Sequence, residues 1–168
     1  MKIAFALAAF AMAAPCFAHI KHQDASAEAG SYYKAVFRVP HGCEGSPTKA
    51  ITVFLPPPVL GAKPMPKPGW KLDVQKEKLA KPYQSHGKSI DERAAAISWS
   101  GGRLLDSEYD EFVLRLSLPI EPGTLRFRVL QECEQGRVDW SQTAAEGKAT
   151  PNPAPVLEVA PAATKHHH

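Results

Sequence analysis

The residue best suited to chemistry is a histidine that processing would place at the start of the mature protein. Everything ahead of His19 reads as a secretory signal. Lys2 gives a short positive region, Ile3 to Ala14 is an apolar run, and Cys16-Phe17-Ala18 ends it with small residues where a signal peptidase reads. The run is too short to span a bilayer. Cleavage after Ala18 would give His19 a free α-amine beside its imidazole, and the amine nitrogen and Nδ1 can then chelate one metal ion. An α-amine titrates at about 7.7–8.0, so a strongly bound metal displaces its proton near neutral pH. A nitrogen site of this kind favours copper(II), which heads the divalent affinity series. The plainer reading is that His19 is only the residue after the cut.

Other candidate ligands cluster around the cysteines. Cys16 leaves with the signal, and Cys43 and Cys133 remain. In an exported protein two cysteines most simply form one disulfide, and neither has a second cysteine at the spacing of a thiolate metal pair. A closed loop of about 90 residues would be worth roughly 4–5 kcal/mol in the chain-entropy model. In His41-Gly42-Cys43-Glu44-Gly45, Glu44 neighbours that crosslink and can complete a metal site; it can equally be a solvated loop carboxylate. His41 is either a second nitrogen ligand or a loop histidine facing water. Trp140 follows Cys133 and would lie near the Glu44 loop if the cysteines pair, either in the core or shielding a metal. The mature chain keeps a single methionine, Met65, so soft ligands are nearly absent and a copper(I) thioether site is not expected.

The remaining motifs are silent. Asp106, Glu108, Asp110 and Glu111 surround Tyr109 without the glycine of a calcium-binding loop, and read as solvated. There is no nucleophile elbow, zinc-protease helix or phosphate loop, and so no enzyme signature. The net charge of +3 falls to +2 without Lys2, and no run of like charge points to nucleic acid or an anionic membrane. No later stretch is apolar enough to span a membrane, so a soluble periplasmic or secreted product is expected.

The elements that must position these residues are short strands. Removing residues 1–18 from the 168 leaves 150, about one domain, and 16 prolines argue against long helices. Apolar alternation predicts strands over Tyr32 to Val39, Lys49 to Leu55, Trp70 to Val74, Ala95 to Trp99, Phe112 to Leu118, Thr124 to Leu130 and Val156 to Val159. Lys63 to Gly69 reads as a rigid proline segment and His86-Gly87 as a turn. Gly101-Gly102 is expected to end a strand, Pro122-Gly123 to join two strands in a hairpin, and Asp91 to Ala96 to form a helical turn. The pattern predicts an all-β, immunoglobulin-like or cupredoxin-like β-sandwich of about seven to nine strands over residues 19–160, with a Pro/Ala/His tail at 161–168.

Six ordered stretches resemble one family, the YcnI-like copper-binding domain: Arg38 to Thr48, Lys63 to Trp70, His86 to Lys88, Ile97 to Arg103, Tyr109 to Phe112, and Gln131 to Gly136 followed by Trp140. The resemblance runs from His19 to about Val159. It implies an exported immunoglobulin-like sandwich that binds copper(II) through a single-histidine brace: the mature N-terminal histidine, a carboxylate and a nearby tryptophan. Carried over, these are His19, Glu44 and Trp140. The Cys43 form of the loop departs from the described member, and His41 belongs to this variant. The function implied is a copper chaperone or buffer that exchanges copper with other periplasmic or membrane copper-handling proteins. The alternatives are a histidine-brace copper oxidase, for which His41 would supply the second histidine, and an immunoglobulin-like interaction module with incidental metal affinity.

Overall fold

The computed structural model describes residues 19–143 and 150–163; residues 1–18, which the sequence reads as a signal, and the terminal histidines lie outside the described residues. Twelve strands are described: β1 (Lys21–His22), β2 (Ser26–Glu28), β3 (Tyr32–Val39), β4 (Thr48–Phe54), β5 (Leu60–Pro64), β6 (Lys71–Ser85), β7 (Lys88–Leu104), β8 (Asp110–Ser117), β9 (Gly123–Arg126), β10 (Arg128–Cys133), β11 (Arg137–Trp140) and β12 (Val156–Ala160). They form a sheet of order β1-β3-β8-β5, a sheet of order β11-β10-β4-β7-β6, and a small sheet β2-β12-β9. The first two pack face to face. Alternation places Phe37, Phe112, Leu114 and Leu116 on the inner face of the first, and Ile51, Val53, Ile97, Trp99 and Val129 on that of the second. The fold is the all-β sandwich that the sequence predicts.

Several local expectations are corrected. There are more strands than seven to nine because the sequence pattern under-reads short and polar ones. Lys63 and Pro64 end strand β5, which precedes a proline loop. The segment from Asp91 to Ala96 is strand, not a helical turn. It pairs with β6, and Arg93 is buried there, donating to the Leu55 and Pro56 carbonyls and pairing with Glu77 at 2.7 Å. Those contacts outweigh the helix preference of its alanines. Gly101-Gly102 does not end β7. Gly101 (φ +79°) lies in a bulge against β4, and a Cβ on Gly102 would overlap the Trp70 indole. The run from Thr124 to Leu130 is two strands in different sheets. β9 pairs with β12 and β10 with β4, while β8 pairs with β3 and β5, so Pro122-Gly123 closes no hairpin. Continuous alternation cannot register a strand that changes partners at a buried corner, here Phe127. His86 and Gly87 (φ +48° and +74°) do make the tight turn of the β6–β7 hairpin.

The edge strand β1, which follows His19, is anchored by Ile20 and His22. The ring of His22 lies 4.4 Å from that of Phe37 and 4.7 Å from that of Phe127, and among the described residues neither ring nitrogen has a hydrogen-bond partner. Burial lowers its pKa from 6.5 to about 4, against the opposing pull of the Asp24 carboxylate. The unfolded chain therefore takes up a proton that the folded chain refuses. This contribution to stability is whole above pH 6.5 and is lost as the pH falls toward 4, and the shift corresponds to about 3 kcal/mol. Urea unfolding across this window should show a marked loss of stability in the native protein. His22→Leu, which keeps the apolar contacts, should show a flatter profile. Identical slopes in the two proteins would contradict the assignment.

Candidate metal centre

The centre is built at the end of the sandwich where β3 leads into β4 and β10 turns into β11. Cys43 and Cys133 are joined by a disulfide, with Cα atoms 6.0 Å apart. Between β3 and β4 the chain makes a narrow turn in which Cys43 and Ser46 exchange backbone hydrogen bonds of 3.0 and 2.9 Å. Glu44 and Gly45 occupy its tip with φ of +50° and +86°. Gly42 lies so close to the Ser46 carbonyl that a Cβ would overlap it, and its N–H donates to Asp106 Oδ1 at 2.9 Å. Ser46 Oγ accepts from the Gln135 N–H at 2.8 Å, and the Pro47 carbonyl accepts from the Glu134 N–H at 2.9 Å. The Cys43 loop and the β10–β11 turn are thus one unit.

A buried amide organises the interior of that unit. Gln131 Oε1 accepts from the Trp140 indole N–H at 3.0 Å, and its Nε2 donates to the His41 carbonyl and to Thr48 Oγ1, both at 2.8 Å. Gln131 and Thr48 are fully buried. Neither stood out in the sequence as a site residue. The available signal was a polar residue at an inward position of a strand, between Val129 and Cys133, where apolar alternation demands a hydrophobe. On the outer face, Arg128 pairs with Asp139 across β10 and β11 at 2.7 Å, and this hydrogen bond holds the Asp139 carboxyl below its usual pKa.

Two imidazoles converge on the indole. The His19 ring meets Trp140 edge-on at a centroid distance of 5.9 Å, and the His41 ring does so at 6.4 Å. His41 Nδ1 lies 2.6 Å from the Gly42 carbonyl, which can only accept, so Nδ1 is the donor in that contact. His19 also borders an open cavity of about 380 Å³ along residues 19–25 and 153–156. Glu44 is exposed at the turn tip. Among the described residues no three His, Cys, Asp or Glu side chains gather into a metal-holding group, so Glu44 is not clustered with both histidines in this arrangement. The residues around Tyr109 have structural partners: Asp106 holds Gly42, Glu108 accepts from the Leu105 N–H, Asp110 pairs with Lys67, and Glu111 with Arg38. The distal tryptophans are core residues, Trp99 fully buried and Trp70 packed against its edge.

Truncating the amide tests its role in packing. Gln131→Met should leave the indole N–H, the His41 carbonyl and the Thr48 hydroxyl without their buried partner, and cost about 2–4 kcal/mol in urea unfolding. A loss below about 0.5 kcal/mol would show that the network contributes little.

A family model described as a domain of unknown function, DUF1775, matches residues 19–159. No curated protein matches the sequence. Among solved structures, an uncharacterized protein from Nocardia farcinica, described as having an immunoglobulin-like fold, is 29% identical, with 84% of this chain and 98% of that one aligned at a TM-score of 0.66. A putative membrane anchored protein from Corynebacterium diphtheriae aligns over 84% of this chain and 34% of its own at 12% identity and a TM-score of 0.42, too distant to bear on the fold. With the match spanning the sandwich from His19 through β12, the chain belongs to the DUF1775 family.

Proposed function

We propose that the mature protein, cut after Ala18, binds copper(II) at His19 and serves as an exported copper chaperone or buffer. The observation that carries this reading is the convergence of the His19 and His41 rings on Trp140 at the disulfide-held end of the sandwich. The donor chemistry fits the ion. His19 would supply its new amine and Nδ1, and a main-chain nitrogen can join them, so a cluster of three ligating side chains is not required. Copper(II) prefers a tetragonal set, which leaves a position in the plane for a further ligand. Glu44 would bring an anionic oxygen if the exposed turn tip folds inward, whereas His41 would bring Nε2 from a position already beside the indole. His41 carries the second reading, a histidine-brace oxidase, because two histidine side chains and an open position are what such chemistry needs.

The N-terminus gives the primary test. With His166, His167 and His168 deleted, a chain beginning at His19 should bind one copper(II) tightly. The same chain with one added residue ahead of His19 should lose most of that affinity, because its nitrogen is then an amide. Equal affinities by competition titration would overturn the reading. A second comparison separates the ligands. Glu44→Ala should weaken copper(II) binding by roughly 10–100-fold with the fold intact, and His41→Ala should matter less. Loss of the tetragonal EPR signal in His41→Ala alone would favour the two-histidine oxidase.

A further inference from the structure

We propose that the outer face of the sheet β1-β3-β8-β5 docks on an anionic phospholipid bilayer. The sequence has no run of like charge, but strand pairing assembles one. Alternation sends Tyr33, Ala35, Phe37 and Val39 of β3 into the core, which leaves Tyr32, Lys34 and Arg38 facing outward. Residues directly opposite across a ladder share a face. Lys34 stands opposite Arg115 of β8, and Arg115 opposite Lys63 of β5, so three cations from distant parts of the chain lie in one row. Two strand spacings separate the ends of that row, about 10 Å. A second row places Lys21 of β1 opposite Arg38, and Arg38 opposite Glu111.

Like charges directly opposite one another destabilise a sheet. Here the protein does not offset them. Glu111 is the one carboxylate among the outward positions paired in this sheet, and it is taken by Arg38 at 3.4 Å. Lys21, Lys34, Lys63 and Arg115 are exposed and form no ion pair among the described residues. The Arg115 guanidinium lies instead over the Tyr32 ring, 3.9 Å from its centre. Beyond the β5 edge, Asp91 and Glu92 border a cavity with Gly61 and Ala62, and Glu92 pairs with Lys76. The face thus carries five cations against one carboxylate, in a chain whose whole formal charge is +3.

An anionic occupant neutralises the row, and the form of the face selects a surface. The cations are spread over a sheet and meet several phosphates at once, as lipid headgroups present them. Apolar side chains stand exposed at one end of the same sheet. Tyr32 is 61% and Ile120 78% accessible. Ile120, in the loop after β8, lies beside Gly30, whose Cβ would stand 3.5 Å from its Cγ2. Tyrosine is enriched at the headgroup level. Binding to such a surface adds buried apolar area to the attraction between cations and anionic lipid. None of the residues of the candidate metal centre takes part, so the proposal stands without the copper reading.

Vesicle co-sedimentation tests the face on the chain beginning at His19 with its terminal histidines deleted. Vesicles of equal parts phosphatidylglycerol and phosphatidylcholine should bind the chain at low salt and release it as salt rises, and phosphatidylcholine alone should not bind it. Lys34→Ser/Lys63→Ser should bind about 25-fold more weakly, at roughly fivefold per charge. Lys78→Ser/Lys81→Ser, which removes two exposed cations from β6, should change binding by less than about twofold. Ile120→Ser should weaken binding roughly threefold with the salt dependence unchanged. All these positions are exposed, so unfolding midpoints should not fall. Equal losses in the two double variants, or equal binding to both kinds of vesicle, would overturn the proposal. So would a soluble poly-glutamate peptide that binds as tightly as the anionic vesicles and loses the same affinity in Lys34→Ser/Lys63→Ser, which would assign the face to an acidic protein.

Discussion

The end of the sandwich that carries the histidines depends on one buried amide. Gln131 points into a core of Val, Ile, Phe and Trp, where an unpaired amide is costly, and it is tolerated because its oxygen and its nitrogen both find partners. Those partners belong to three different segments: Trp140 at the end of β11, His41 in the loop after β3, and Thr48 at the start of β4. One side chain therefore sets where the indole and the His41 loop sit relative to each other. The Cys43–Cys133 disulfide lies alongside and ties the same segments covalently. The crosslink limits how far the loop can move, and the amide decides where within that range it rests.

His19 is held differently. It precedes a two-residue edge strand that pairs with β3 and is anchored by Ile20 and by the buried His22 imidazole, which has no hydrogen-bond partner among the described residues. A buried indole and a tethered loop thus face the residue that leads into a two-residue edge strand. Under the copper reading this division is useful. His19 would bring its nitrogens to a platform that Gln131 and the disulfide hold in place.

The all-β class, the central strands and their inward faces were legible because alternation over seven or eight residues is a strong signal. β3, β4 and β8 fall within a residue or two of their predicted bounds. The disulfide was legible from compartment and count. What local pattern could not carry was partner choice. The Leu125 to Val129 alternation continues smoothly through a change of sheet, and the alanines after Arg93 prefer helix but are overruled by pairing with β6. At the candidate site, His19, His41 and Trp140 were singled out by residue type and neighbourhood, and the fold sets both rings against the indole. Glu44 was named from its place in the chain, yet its backbone sits at an exposed tip. Gln131 was visible only as a violation of alternation, and its meaning needed the three segments that it joins.

The central claim is that a processed His19 places copper(II) beside Trp140 and away from the other two tryptophans. The most direct measurement is the set of three indole N–H signals in the NMR spectrum of a chain beginning at His19 and lacking His166 to His168, recorded as one equivalent of copper(II) is added. Paramagnetic broadening should erase the Trp140 signal at stoichiometric metal while those of Trp70 and Trp99 persist. A Trp140 signal that survives full loading, or three signals that fade together, would contradict the account.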